Sequence, residues 1–213
     1  FRIIKWLIAL PVGVFIFFNA YVYGNIITYR AVAPYQTAFM SMRMKQFAQE
    51  GSDVPLDYRW GSYNQISPNL KKALIASEDA KFAEHAGFDW GGIQYAIKRN
   101  RKTGKVKAGG STISQQLAKN LFLNEWQSYI RKGEEAAITA MLEATTDKDR
   151  IFELYLNVIE WDYGVFGAEA ASQRFYRKPA ATLSKQQAAA LAARVPAPLF
   201  YADNPNSKRL RAK

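Results

Sequence analysis

Cysteine is absent from this sequence, and histidine occurs once, as His85. The first absence excludes a thiolate nucleophile, a thiolate metal site and any disulfide. The second excludes a zinc centre built on several imidazoles. Acidic residues are scarce: 18 Asp and Glu stand against 29 Lys and Arg, a formal net charge of +11. That imbalance favours an anionic partner, whether nucleic acid, an acidic membrane surface or a phosphate-bearing substrate. There is no internal repeat, and 213 residues suffice for one domain with a real core plus an appendage.

Charge is almost missing from the amino-terminal stretch. Residues 3–23, IIKWLIALPVGVFIFFNAYVY, carry only Lys5. A helix of roughly 20 apolar residues spans the hydrocarbon core of a bilayer, and such a span tolerates Pro11, Gly13 and Asn19. A cleaved signal peptide has a shorter apolar region and a small-x-small cleavage site, which the following NAYVYGN does not offer. A buried helix of a soluble protein is the other reading. The length favours an uncleaved membrane anchor. Arg2 and Lys5 precede it and Arg30 is the first base beyond it, a vote for a cytoplasmic amino terminus.

The remainder reads as mainly α with little strand. Residues 30–50 predict an amphipathic helix after Pro34, with three of the four methionines, as ordinary core or as a membrane-facing surface. Residues 54–66 predict a short extended segment. Ser67-Pro68 predicts a helix start, with Ser as cap and Pro at the first helical position, and the helix is expected to run to about His85. The run GFDWGG at 87–92 is expected to break it, with a short helix at 93–100. Residues 98–107, KRNRKTGKVK, carry six bases around a glycine and read as a mobile loop, either solvated or touching phosphate or acidic lipid. Four more helices are expected: 112–123, 129–146, 148–160 after Asp147 as cap, and one from Ser184 that ends before Pro196. In the third, Ile151, Leu154, Tyr155 and Val158 fall at i, i+3, i+4 and i+7, an amphipathic stripe. In the fourth, Ser184 and Gln187 make a capping-box pattern.

Three constellations could carry chemistry. Leu74, Glu78 and Phe82, spaced by four, are expected to share one helix face. A carboxylate on such an apolar stripe would have a raised pKa and suit general base or acid work, although most glutamates so placed are ion-paired or structural. Thr112, Gln116 and Lys119 make a polar stripe behind the flexible Gly109-Gly110-Ser111, where backbone N–H donors can hold an anion, a pattern common on surface helices. Arg131 and Glu135 stand at i, i+4, either a helix ion pair or a second active-site carboxylate steadied by a cation. Two carboxylates flanking a sugar–oxygen bond are the usual equipment of glycosyl chemistry.

Taken in order, these segments resemble the peptidoglycan glycosyltransferases of glycosyltransferase family 51. The motifs are EDAKFAEHAGFD at 78–89, GGSTISQQLAKNLFL at 109–123, RKGEE at 131–135, KDRIFELYLN at 148–157 and GVFGAEAASQRFYRK at 164–178. The resemblance covers residues 60–200 or so and is to the monofunctional members. It implies a lysozyme-like α fold with a head lobe and a membrane-near jaw lobe. It implies lipid II as substrate and inverting transfer: the acceptor 4-hydroxyl attacks the anomeric carbon of the growing strand, and undecaprenyl pyrophosphate leaves. By matching position, Glu78 is the expected base and Glu135 the donor-side carboxylate. Lys119 and Arg131 would neutralise the leaving group. Thr112, Gln116 and Asn120 would bind substrate, while Asp79, Phe82 and His85 would shape the site. The family often uses a divalent metal near the pyrophosphate, so Mg²⁺ is a candidate, but no dedicated metal cage is visible and no organic cofactor is implied. One position departs from the pattern: Gln127 stands where related enzymes often carry an arginine, which puts one phosphate contact in doubt.

The expected organisation is an anchor at 1–30, a membrane-near linker helix at 31–58, a glycosyltransferase domain at 59–205 and a basic tail at 206–213. The expected location is the bacterial inner membrane, single-pass, with the catalytic domain on the periplasmic side. Partners would be the membrane, lipid II, the growing strand, and cell-division or wall-synthesis proteins. Rival readings are a lytic transglycosylase or muramidase and an inactive tethered scaffold. Cleavage has no use for the second glutamate with its cations, and intact motifs argue against inactivity. A nucleic-acid binder explains the charge but neither the anchor nor the ordered carboxylates.

Overall fold

A computed structural model describes residues 2–104, 109–125 and 128–211. The chain is mainly helical. Helix α1 (Arg2–Tyr29) has 28 residues, and within it residues 9–29 are long and apolar enough to cross a membrane. Its outward side chains, among them Leu10, Ile16 and Phe17, are more than half exposed, as expected of a lipid-facing surface. Its carboxyl-terminal part behaves differently: Val22 and Ile26 are buried in the domain core. Arg150 fixes this end, donating from Nε to the Tyr29 carbonyl at 2.8 Å and from an Nη to the Val32 carbonyl at 2.9 Å. A side chain thereby satisfies carbonyls that a helix end leaves without partners.

Helix α2 (Ala38–Gln49) starts later than expected. Thr37 caps it, its hydroxyl accepting from the Met40 N–H at 3.2 Å. Of the two readings of its apolar side chains, the core reading holds for Phe39, Met40 and Phe47, which are all buried. Helix α3 (Pro68–Glu78) begins at Ser67-Pro68 as the sequence predicts, but it ends at Glu78 rather than near His85. The Asp79 carboxylate accepts the Ile113 N–H at 3.0 Å and His85 Nε2 at 3.0 Å, which turns the chain out of the helix. Glu78 and Phe82 therefore do not share a helix face. The apolar-stripe reading of Glu78 is corrected: it stands in the last helical position.

Helix α4 (Trp90–Thr103) overturns the expected break at 91–92 and the expected loop from 98. Asp89 caps it by accepting the Gly92 N–H at 3.0 Å. A Cβ at 92 would collide with that carboxylate, so the glycine serves a helix start. Arg101 and Lys102 lie in the last turn, where cations favour the negative end of the helix dipole. Gly104 ends the helix with φ +62. The rest of the basic run, with Lys105 and Lys107, lies outside the described residues.

Helices α5 (Ile113–Phe122), α6 (Tyr129–Thr145) and α7 (Lys148–Val158) form the centre, with α5 packed on α2, α6 and α7. The predicted stripe of α7 is buried throughout, yet Phe152, Leu156 and Asn157 are buried too. The helix is therefore enclosed on more sides than an amphipathic pattern indicates. Three short strands, β1 (Asp57–Tyr58), β2 (Glu160–Asp162) and β3 (Val165–Phe166), make a sheet in the order β1-β3-β2, parallel then antiparallel. Asn157 ties α7 to the chain entering at Gly61, accepting the Gly61 N–H at 2.8 Å and donating to its carbonyl at 2.9 Å. Helix α8 (Ala168–Tyr176), not expected from the sequence, buries a face of Ala and Ser. Helix α9 (Lys185–Ala192) carries the Ser184–Gln187 capping box and packs on α3. Two short helices follow, α10 (Pro198–Asp203) and α11 (Lys208–Arg211).

Candidate active site

The end of α3 and the exposed faces of α5 and α6 enclose a cavity of about 590 Å³. Glu78, Gln116, Lys119, Arg131 and Glu135 all line it. Five of the ten residues expected at the site thus come together, including both glutamates. Ser111, from the expected anion-holding segment, and Lys132 line it as well, and Lys132 was not singled out from the sequence. The signal for Lys132 was its place in RKGEE, three residues before Glu135.

Glu78 is held by its neighbours. Gln116 Nε2 donates to Glu78 Oε2 at 3.1 Å, and Gln116 Oε1 accepts from the Tyr155 hydroxyl at 3.2 Å. Tyr155 is fully buried, and burial first, then the Glu78 and Asp79 charges, raise its phenol well above the ordinary range. It therefore stays a donor. A carboxylate only accepts, so Glu78 draws the NH₂ of Gln116 and leaves Oε1 to accept from the buried phenol, which completes the chain.

Glu135 is only 3% exposed. Arg131 bonds its Oε2 at 2.8 Å and Lys132 bonds its Oε1. Lys132 Nζ also reaches Ser111 Oγ at 3.3 Å. Both carboxylate oxygens are thus engaged, each with a cation at the cavity. Lys119 supplies a third. Burial lowers its pKa, with Glu125 and then Glu135 opposing that effect and Arg131 and Arg43 adding to it. An ammonium desolvated in this way gains most from an anion brought to it.

The remaining expected residues lie around this cavity and do not line it. Thr112 is the cap of α5: its hydroxyl donates to the Gly87 carbonyl at 2.6 Å and accepts the Gln115 N–H at 3.2 Å. It is buried and lines a smaller cavity beside Glu78 and Asp79, not the one that holds Gln116. His85 Nδ1 accepts the Gly87 N–H at 3.1 Å while Nε2 meets Asp79. Those roles assign the neutral Nε2–H tautomer. Asp79, His85 and Gly87 form a clamp that seats the loop after Glu78 on the amino terminus of α5. Phe82 packs beneath it against Phe152, with ring centroids 5.5 Å apart. Asn120 donates to the Gln116 carbonyl at 2.9 Å and lines a second cavity. Gln127 lies outside the described residues.

That second cavity, of about 360 Å³, shares Gln116, Lys119, Val195 and Pro196 with the first. Its wall holds Arg43, Glu125 and Glu160, none expected from the sequence. Arg43 donates to Glu125 Oε1 at 2.6 Å and to Glu160 Oε2 at 3.2 Å, with Glu160 Oε1 also 3.0 Å away. Burial pushes the Glu160 carboxyl up to about 7, against the opposing pull of Arg43.

A divalent ion is usually held by carboxylates and phosphates. Among the described residues no three acidic or histidine side chains cluster as a metal site, and both oxygens of Glu135 are already paired. Among the described residues, the donor set does not form a dedicated metal centre.

The Transglycosylase family profile matches residues 44–213. A biosynthetic peptidoglycan transglycosylase of Neisseria meningitidis serogroup C (strain 053442) is 84% identical over the whole chain, covering 91% of that relative. The protein of the same name from Neisseria gonorrhoeae (strain NCCP11945) is 81% identical with the same coverage. A further N. meningitidis relative of that name is 81% identical over 158 residues, 74% of this chain and 96% of the relative. With a match over most of its length and relatives this similar, the chain belongs to the transglycosylase family.

Proposed function

We propose that the chain is a peptidoglycan glycosyltransferase that polymerises lipid II into β-1,4-linked glycan strands. The observation that carries this reading is a single cavity pairing a positioned carboxylate, Glu78, with three cations, Lys119, Arg131 and Lys132. Glu78 removes the proton from the 4-hydroxyl of the acceptor as that oxygen attacks the anomeric carbon of the donor. The bond from that carbon to the pyrophosphate oxygen breaks with inversion, and undecaprenyl pyrophosphate leaves with the electron pair. The cations stabilise the charge that gathers there, a preorganised electrostatic effect. Glu135 keeps Arg131 and Lys132 aimed at the cavity.

The linked second cavity meets the first at Lys119, an arrangement that suits a reaction between two substrates. Helix α1 is the anchor in the inner membrane, with the catalytic domain on the outer side. Its length and exposed apolar surface support the anchor, Arg2 and Lys5 ahead of the apolar stretch support the sidedness, and a membrane tether raises the local concentration of a lipid-borne substrate.

Purified enzyme given lipid II in vesicles should yield long strands and free undecaprenyl pyrophosphate. Shortening of preformed strands without synthesis would favour the lytic reading, and no reaction on either substrate would favour an inactive scaffold.

A further inference from the structure

Lys119 stands where the two cavities meet, and the charges on its two sides are unequal. On the α6 side one carboxylate serves two cations, since Arg131 and Lys132 both bond Glu135. On the α2 side the ratio is reversed, and Arg43 serves two carboxylates, Glu125 and Glu160. The Arg43 guanidinium grips Glu125 with both Nη atoms, at 2.6 and 3.3 Å, and turns Nε to Glu160 Oε2 at 3.2 Å. It also donates to Gln46 Oε1 at 2.8 Å. Glu125 lies in the connection between α5 and α6, and its side chain is 44% exposed. A carboxylate so exposed ordinarily turns to water. The two-pronged bond to the buried Arg43 keeps it at the cavity wall.

One ring joins Arg43 to Lys119. The Arg43 guanidinium lies 5.1 Å and the Lys119 ammonium 5.4 Å from the centroid of Phe39. Two like charges against one ring repel, and burial already disfavours the ammonium. Among the charges around Lys119, Glu125 favours the ammonium most, followed by Glu135, while Arg131 and Arg43 oppose it. Glu160 of β2 ionises as pH rises through about 7, which adds negative charge on the α2 side. Glu78 of α3 lines the first cavity, and α7 contributes Tyr155, whose buried phenol stays protonated. Arg43 thus acts on Lys119 in two opposed ways: it repels the ammonium directly, and it places the carboxylate that attracts it.

We infer that Arg43 is a positioning residue that holds Glu125 at the cavity wall, and that Glu125 keeps Lys119 in its charged form. The inference rests on the functional reading above for its purpose, since a cation at 119 serves a pyrophosphate leaving group. A neutral amine there would leave the departing charge with two cations in place of three, and the loss would fall on the bond-breaking step. Neither Arg43 nor Glu125 needs to touch the substrate for this. Their effect passes through the proton on Lys119, so it has a pH signature that a merely structural contact lacks.

The test follows the ionisation of Lys119 directly, by ¹³C NMR of the full chain in detergent micelles with lysine labelled at Cε. The Lys119 resonance is identified by its loss in Lys119→Arg, a variant that needs only to fold. Glu125→Gln should lower the Lys119 midpoint by roughly one pH unit, the low end of what a neighbouring opposite charge does, because Glu125 is part-exposed. Arg43→Lys keeps the positive charge but loses the two-pronged geometry, so it should move the midpoint in the same direction. Asp53→Asn removes the same net charge from an exposed position after α2, outside both cavities, and should leave the midpoint in place. A lowered midpoint means that the ammonium is lost at lower pH. The alkaline decline of kcat on lipid II should therefore begin earlier in Glu125→Gln enzyme, with kcat falling towards about a tenth of the unmodified value on that limb, as one pH unit implies. An unmoved midpoint in Glu125→Gln or Arg43→Lys, or an equal shift in Asp53→Asn, would overturn the inference and leave polymerase activity unquestioned. A midpoint that moves while the kcat limb does not, or absence of polymerisation by the unmodified enzyme, would instead overturn the part given to Lys119 in the functional reading.

Discussion

Glu78 and Glu160 are both carboxylates beside the two linked cavities, yet their surroundings give them different work. Glu78 is met by the Gln116 amide, whose oxygen is held by the buried Tyr155 hydroxyl. Tyr155→Phe should leave the fold intact and lower kcat by up to about tenfold, the worth of one hydrogen bond. Conservative loss of that hydroxyl with no change in kcat would show that Gln116 needs no such guide. Glu160 is buried against Arg43 and titrates near 7 instead of the ordinary 4.5. A raised carboxyl is protonated in both folded and unfolded protein below pH 4.5, and the unfolded chain ionises first as pH rises. Stability present below pH 4.5 is therefore lost between pH 4.5 and about 7, by a few kcal/mol at most. Glu160→Gln should flatten that part of the stability profile. Denaturant unfolding of both proteins at pH 5 and pH 8 checks it, and equal slopes would contradict it. Neither Arg43 nor Glu160 was legible beforehand, since 117 positions separate them and no local pattern marks the pair.

At the scale of elements, periodicity and caps were the readable signals. Ser67-Pro68, Ser184 with Gln187, and the α7 stripe all appear where the sequence places them. The failures lie where tertiary hydrogen bonds decide. The end of α3 depends on Asp79 reaching Ile113, 34 positions away, and the start of α4 depends on an Asp89 cap that made two glycines look like a break. Helix α8 was missed because its buried face is mostly alanine, which gives little contrast. Thr112 has a second task that a stripe at i and i+4 does not show, since the first helical turn needs a cap. Thr112→Val should therefore remove about 1–2 kcal/mol of stability, as a lost cap does, and should leave KM unchanged for the folded enzyme. Thr112→Ser should restore the stability. A raised KM with unchanged melting temperature would return Thr112 to the substrate. Gly87 belongs to the same unit: its φ is +89, and a Cβ there would stand 2.7 Å from Thr139 Cγ2, so the loop that follows Glu78 has a single route back to α5.

For the whole molecule, the division into anchor and domain is less clean than an apolar run implies. Val22 and Ile26 belong to the core, and the Tyr29 ring stacks on Phe122 with centroids 6.1 Å apart. Removal of residues 1–21 should leave a folded enzyme with weaker turnover on membrane-borne substrate. Removal of residues 1–30 should also lower the melting temperature, since burial of a Val or Ile side chain is worth roughly 1.5–3 kcal/mol. Equal melting temperatures for the two truncations would show that the end of α1 contributes nothing to the core. The net charge of +11 suits an anionic partner, and Lys119, Arg131 and Lys132 at the cavity are three of the 29 basic residues behind it. The central claim is that Glu78 accepts the acceptor's proton within that cationic cavity. Its most direct test is the initial rate of lipid II polymerisation by Glu78→Gln enzyme whose melting temperature matches that of the unmodified protein. A lost general base should lower the rate by about 10²–10⁴-fold, whereas retention of more than about a tenth of the rate would contradict the assignment of Glu78 as the base.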